Sequence, residues 1–195
     1  MKTKLKEYFY NIVQLEDTEW NIAQNLFKER SFKKGEYLIS EGEIEDYMNF
    51  IVEGICRTFE IKNGIEYNHD FSSEDDWISS YISFSDNTPS NVNIQAITNM
   101  KVCSIHKDDV KEYVSVGPKF AAKFAAIERY IANKVIFELY ATRASLLADT
   151  PDERYLKLIE RKKNLMQSVP LKDLASYIGI TPESLSRLRK RLSQK

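Results

Sequence analysis

The spacing of apolar residues changes three times along the chain. Between residues 5 and 30, Phe9, Ile12, Val13 and Leu15, then Trp20, Ile22, Leu26 and Phe27, recur near helical spacing. Thr18 followed by Glu19 supplies a helix cap within this segment. From Ser31 to Ile105 the pattern shortens into runs rich in Tyr, Phe, Ile and Val, which predict strands over 37–39, 50–52, 56–61, 67–71, 92–97 and 102–105. Lys34-Gly35, Glu41-Gly42, Glu53-Gly54 and Asn63-Gly64 punctuate these runs. Turn signals roughly every ten residues imply an antiparallel sandwich or barrel, and Asn63-Gly64 reads as a hairpin turn. No fixed-period repeat or low-complexity tract interrupts the pattern.

After Gly117-Pro118 the helical period returns over one long segment, Lys119 to about Ala148, free of Gly and Pro, with Phe120, Phe124, Ile127, Ile131, Val135, Leu139 and Leu146 in register. A helix of this length exceeds what a small barrel can cover. Its stripe either meets its own copy in a second subunit or folds back over the barrel as a core helix. A new helix then starts at Thr150, with Pro151 at the first helical position and Glu153 placed to complete a capping box, so a boundary falls near residue 149. That helix is expected to run to about Lys162, before Lys163-Asn164.

Pro170 to Leu192 reads as two short helices about Gly179. Leu171, Leu174 and Ile178 form the apolar face of the first; Leu185, Leu188 and Leu192 form that of the second. Ala175 is small enough for close approach, Gly179 can take a left-handed turn and Ile180 fills the corner. Thr181 caps the second helix, Pro182 opens it and Glu183 lies near the positive end of its dipole. Small, glycine and apolar positions thus follow the spacing of a helix-turn-helix.

Charge sharpens this picture. The formal net charge of the 195-residue chain is only −1. Residues 151–195 nevertheless carry 11 Lys and Arg against 5 Asp and Glu, a net +6, while residues 1–150 carry 17 basic and 24 acidic side chains, a net −7. An acidic body with a basic end points to nucleic acid at that end, although a solvated basic helix would give the same count. Two cysteines, Cys56 and Cys103, are too few for a disulfide framework. With no apolar signal core after Met1 and no run near the length of a membrane span, the chain reads as cytoplasmic, with reduced thiols and no membrane partner.

Lys34-Gly35-Glu36 with Glu41-Gly42, the run Phe50-Ile51-Val52-Glu53-Gly54, and Glu183-Ser184-Leu185-Ser186-Arg187 together resemble the CRP/FNR family of transcription regulators, typified by the cyclic AMP receptor protein and the fumarate and nitrate reductase regulator. The resemblance runs over essentially the whole chain. It implies an α+β fold: a jelly roll (double-stranded β-helix) with flanking helices over 1–117, a dimerisation helix over 118–148, and a winged-helix-like helix-turn-helix domain over 149–195. It also implies a homodimer on double-stranded DNA, an inverted-repeat operator, a small-molecule effector, and RNA polymerase as a further partner. Glu183, Ser186 and Arg187 match the family's Glu-x-x-Ser-Arg pattern. A carboxylate can accept from a cytosine amino group and Arg can grip guanine O6 and N7; Glu183 as a helix-start charge and Arg187 as a phosphate contact are the competing readings. Thr181, Ser184, Arg189, Lys190 and Arg191 complete the expected DNA surface, the basic run serving phosphates. The chain stops at Lys195, so the family's wing hairpin is expected to be truncated or absent.

The sensor departs from the cyclic-nucleotide pattern. Where such binders place a Gly-Glu pair and then an Arg followed by Ser or Thr, this chain reads Trp77-Ile78-Ser79-Ser80-Tyr81 and Pro89-Ser90-Asn91. A buried phosphate needs a cation or converging donors, so cyclic AMP is disfavoured, and Trp77, Ser79, Ser80, Tyr81, Ser90 and Asn91 stand as candidates to line a pocket for another effector. Two cysteines cannot hold an iron-sulfur cluster. His69 and His106, in separate strand-like segments, read as structural or exposed rather than as haem or metal ligands. Closely spaced histidines of the cupin type, a glycine-rich phosphate loop and a nucleophile–base arrangement are all missing, so neither an enzyme nor a resident cofactor is expected. The competing function is a small-molecule-binding jelly-roll module whose helix-turn-helix serves protein contact.

Overall fold

The computed structural model describes residues 2–161, 165 and 167–192. Helices α1 (Lys2–Tyr10) and α2 (Asp17–Leu26) precede eight strands: β1 (Phe27–Phe32), β2 (Tyr37–Ile39), β3 (Tyr47–Glu53), β4 (Cys56–Lys62), β5 (Ile65–Ser72), β6 (Trp77–Ile78), β7 (Asn93–Ala96) and β8 (Met100–His106). Helix α3 (Tyr81–Asp86) lies between β6 and β7. Helices α4 (Lys107–Ser115), α5 (Pro118–Ala148), α6 (Pro151–Arg161), α7 (Leu171–Ile178) and α8 (Pro182–Leu192) complete the chain. The strands form two four-stranded antiparallel sheets, ordered β1-β8-β3-β6 and β2-β7-β4-β5. Asn63-Gly64 closes the β4–β5 hairpin, in which Lys62 faces Ile65. The fold is therefore the expected α+β arrangement of a jelly-roll sandwich, a long helix and C-terminal helices.

Strand β3 shows why the sandwich carries helices on one side. Ile51 points inward to meet Ile39, Cys56, Ile94 and Val102 between the sheets. Met48, Phe50 and Val52 alternate to the other face and pack on Leu5, Phe9, Trp20 and Phe27. β8 divides in the same way, with Val102 inward and Cys103 and Ile105 outward. A sheet apolar on both faces must be covered twice, at about 1.5–3 kcal/mol of stabilisation per large side chain buried. The second cover consists of α1, α2, α4 and the first half of α5, which contributes Ile127 with Phe120, Phe124 and Ile131.

Several local expectations shift. The second helix starts two residues before the Thr18 cap: Glu16 is its N-cap, in a reciprocal capping box with Glu19. The helical segment also stops at Leu26, because Phe27 to Phe32 pair with Ile105 to Met100 as β1. This strand is mostly solvent-facing, so it has no apolar run to announce it. Strand β6, which is only Trp77–Ile78, and the short helices α3 and α4 are likewise additions. Thr150 and Glu153 form the expected capping box at α6, with Thr150 N donating to Glu153 Oε2 at 2.8 Å and Glu153 N to Thr150 Oγ1 at 3.3 Å. The expected end of α6 at Lys162, Lys163 and Asn164 lies outside the described residues.

A buried carboxylate ties the start of α5 to the body. Glu19 is buried, accepts from the Glu16 backbone N–H at 2.7 Å, and pairs with Lys119 at 3.1 Å and with Lys123. The Lys123 ammonium above all, then the Glu16 N–H, lowers its pKa from 4.5 to about 2. An acid with a depressed pKa stabilises the fold fully above its unfolded value and progressively less as pH falls toward the folded one.

Stability of the chain should drop between pH 4.5 and about 2 in part through Glu19, and Glu19→Gln should flatten that limb when urea midpoints are compared across the range. Gly54, between β3 and β4, has φ +100°, and a Cβ there would come within 2.9 Å of Met100 Cα and collide with Asn99 O. Gly54→Ala should therefore cost about 2 kcal/mol or more, read as a lowered denaturation midpoint.

Candidate nucleic-acid interface

The turn between α7 and α8 is built from the residues that the pattern singled out. Gly179 ends α7 in the left-handed conformation at φ 81°, its N–H reaching the Ala175 and Ser176 carbonyls, and Ile180 N closes on Ala175 O at 3.0 Å. Thr181 Oγ1 accepts from Ser184 N at 3.2 Å, capping α8. Leu174, Ala175, Ile178, Leu185 and Leu188 are buried in one cluster with Tyr155 and Leu158 of α6. Burying Leu185 and Leu188 turns the opposite side of α8 outward.

That outward side carries Glu183, Ser186, Arg187, Arg189, Lys190 and Arg191, all exposed, with Ser184 half-buried. Arg187 Nη2 lies 3.2 Å from Ser184 Oγ, within the helix's own surface. The Glu183 carboxyl is held below its usual range by its own backbone N–H at the helix start, then by the Thr181 hydroxyl and the Arg187 charge. It is thus an anionic acceptor at neutral pH, beside a guanidinium. Arg191 is not directed wholly to solvent: it pairs with Asp152 of α6. A wing after Leu192 would begin at residues 193–195, which lie outside the described residues.

The six candidate pocket residues do not share one surface. Trp77 belongs to the helix-covered face of the first sheet, stacked on Phe9 with centroids 6.1 Å apart and tilted against Phe50 at 5.5 Å. Ser80 and Ser90 are buried with their hydroxyls 2.8 Å apart, and Ser90 Oγ accepts from Val92 N at 3.2 Å. Ser79 is half-buried, whereas Tyr81 and Asn91 are exposed. A cleft of about 520 Å³ lies elsewhere, between β5, the distal half of α5, and α6 and α7, with Phe137, Thr142, Leu146, Lys157 and Tyr177 among its walls.

Of the histidines, His106 Nδ1 accepts from Asp108 N at 3.1 Å as the N-cap of α4, and His69 lies 3.3 Å from Glu60. Among the described residues no cluster of three or more His, Cys, Asp or Glu could hold a metal ion, and no helix is long and apolar enough to cross a membrane. Burial raises the Cys103 thiol to about 11, so it is protonated at neutral pH.

The pattern did not flag a polar joint between the sandwich and α7. Arg57 of β4 reaches Asp173 of α7 at 3.0 Å, while Ser176 of α7 bonds to the backbone of β5. A charged residue between buried Cys56 and Phe59 was the available signal for Arg57. Asp173 gave none, because an acid in the first turn of a helix is ordinary.

The cyclic nucleotide-binding domain family matches residues 29–115. No curated protein matches the chain. Among solved structures, FixK2 from Bradyrhizobium japonicum superimposes with a TM-score of 0.72 at 18% identity, over 86% of this chain and 85% of that one. The c-di-GMP responsive global regulator CLP from Xanthomonas campestris gives 0.71 at 11% identity, over 92% of each chain. The catabolite activator protein of Thermus thermophilus gives 0.52 at 18% identity, over 92% of this chain and 84% of that one. At such identities the likeness is one of fold, and it spans sandwich, long helix and C-terminal helices together.

The Thr181 cap is testable by itself. Thr181→Ala should cost about 1 kcal/mol by leaving the Ser184 N–H without its side-chain acceptor, and Thr181→Ser should restore most of it in thermal denaturation.

Proposed function

From a chain that carries a cyclic nucleotide-binding domain and has the fold of CRP/FNR-type regulators, we propose a transcription regulator that binds an inverted repeat in duplex DNA as a homodimer. The observation that carries this reading is the capped α8, whose Leu185 and Leu188 are buried while Glu183, Ser186 and Arg187 project from its first two turns. A helix presented in this way fits the major groove, about 12 Å wide, with the N-terminal side chains at base edges. Arg187 and Glu183 are the proposed readers, with Ser186 between them. Arg189 and Lys190 are the proposed phosphate contacts, and Arg191 must leave Asp152 to join them.

Helix α5 supports the second copy. Its first half packs on the sandwich, but beyond Ile131 no large apolar side chain is buried: Phe137 is 73% exposed, Tyr140 70% and Leu147 80%. Val135, Ile136, Leu139 and Leu146 add to this surface. Single exposed apolar residues are common in proteins, whereas seven large ones between Val135 and Leu147 of one helix mark an interface. The α5 of a second copy is the occupant that also gives two recognition helices, and so a palindromic site.

The effector is proposed to be something other than a cyclic nucleotide held by its phosphate. Residues 79–92 contain neither Arg nor Lys, and Ser80 and Ser90 satisfy each other instead of turning outward. Selection from random duplexes should enrich an inverted repeat with half-site centres one helical turn apart, about 34–36 Å. On the best such operator Arg187→Ala should cost about 1–3 kcal/mol and relax one base pair per half-site, with little loss on random DNA. Lys190→Ala should weaken all sequences alike and lower the salt dependence by about one counterion for each phosphate that Lys190 neutralises. Enrichment of no symmetric site, or equal losses for both variants on every sequence, would exclude this function.

A further inference from the structure

We infer that Arg57, Asp173 and Ser176 form a latch that holds the helix-turn-helix unit on the sensor sandwich and can part without leaving a stranded charge. β5 is an edge strand of its sheet, so one row of its backbone groups faces away from β4. Helix α7 covers that row. Ser176 Oγ accepts from Asn68 N at 3.0 Å and bonds to Glu66 O at 3.1 Å, occupying the place of a fifth strand. Beside it Arg57 Nη1 meets Asp173 at 3.0 Å, with the two side chains only 7% and 6% exposed. The Tyr177 ring rests on Phe71 with centroids 5.4 Å apart, and Ile55 and Ile97 of the sandwich join the apolar cluster of α6, α7 and α8.

Both sides of the joint can stand apart. Within the sandwich Arg57 keeps Glu66 at 2.7 Å, Gln95 at 3.1 and 2.8 Å, and the Phe59 ring at 4.0 Å. Asp173, once released, lies in the first turn of a helix, where a carboxylate is favoured by the dipole in water. A buried pair that separates into two groups with no other partner is costly to open; this one is not of that kind. Asn68, whose backbone N–H the latch holds, adds a reason to open: its side-chain N and O are both buried with no hydrogen-bond partner among the described residues. Water reaching an opened joint would satisfy them. Arg57 also follows Cys56, wholly buried between the sheets, and bonds to Gln95 on β7. A shift of β4 against β7 from inside the sandwich therefore acts on the same guanidinium that grips α7, and through it on the position of α8.

The latch is tested on the full chain by amide hydrogen exchange, with no DNA present, so its outcome is separate from the proposed DNA reading. Arg57→Met and Asp173→Asn, on opposite sides of the joint, should each speed exchange at Asn68 N–H by about tenfold or more. Protection at Val102, inside the sandwich, and at Leu188, inside the helix-turn-helix, should stay unchanged. The double variant should be no faster at Asn68 than the faster single one, because both remove the same ion pair. Unchanged Asn68 exchange in either variant would overturn the latch. So would additive acceleration in the double variant, or loss of protection at Val102 or Leu188 together with Asn68, since these would make the pair a stabiliser of one unit's own fold.

Discussion

The first sheet is apolar on both faces, and most of the architecture follows from that. Ile51 and Val102 are fully buried between the sheets, while Phe50 and Cys103 beside them are fully buried on the other side. A two-faced sheet cannot meet water on either side, so the chain supplies α1 and α2 before it and α4 and α5 after it. The aromatic contacts of Phe9, Phe27, Phe50 and Trp77 lie in that second layer. Trp77, partly buried, packs into that layer.

Anchoring the first half of α5 on this layer determines what its second half can do. Glu19, Lys119 and Lys123 tie down the start of the helix, and Ile127 is its last fully buried side chain. Past Ile131 the helix still carries large apolar residues, none of them buried within the chain. The same helix leads the chain to α6, whose Thr150 capping box starts the C-terminal unit.

The second sheet leaves a different demand, for hydrogen bonds instead of apolar cover. Its edge strand β5 presents backbone groups that α7 meets with Ser176, and Arg57 and Asp173 place a charge contact beside them. Two kinds of unfinished surface, one apolar and one polar, thus set the two neighbours of the sandwich.

Much of this was legible in one dimension. Periodicity of 3.6 over 119–148 gave α5 nearly to its ends, because a helix without Gly or Pro has few alternatives. Capping chemistry gave α6 and α8 for a similar reason: Thr150 with Glu153, and Thr181 with Ser184, are contacts between residues three apart. The outward face of α8 followed from which leucines must be inward. Strand β1, in contrast, has almost no apolar signal and exists because β8 needs a partner. The Thr18 cap gave way to Glu16 because the cap is chosen together with Glu19, which also answers to Lys119 and Lys123 a hundred residues away. Serines 80 and 90, ten residues apart, could be read as pocket donors until folding set them against each other. The sequence alone determined what depends on neighbours within one helical turn or on the alternation of a strand. Arg57 with Asp173, separated by 116 positions, was decided only by tertiary structure, since no local rule carries the information of which distant surface a buried charge will meet.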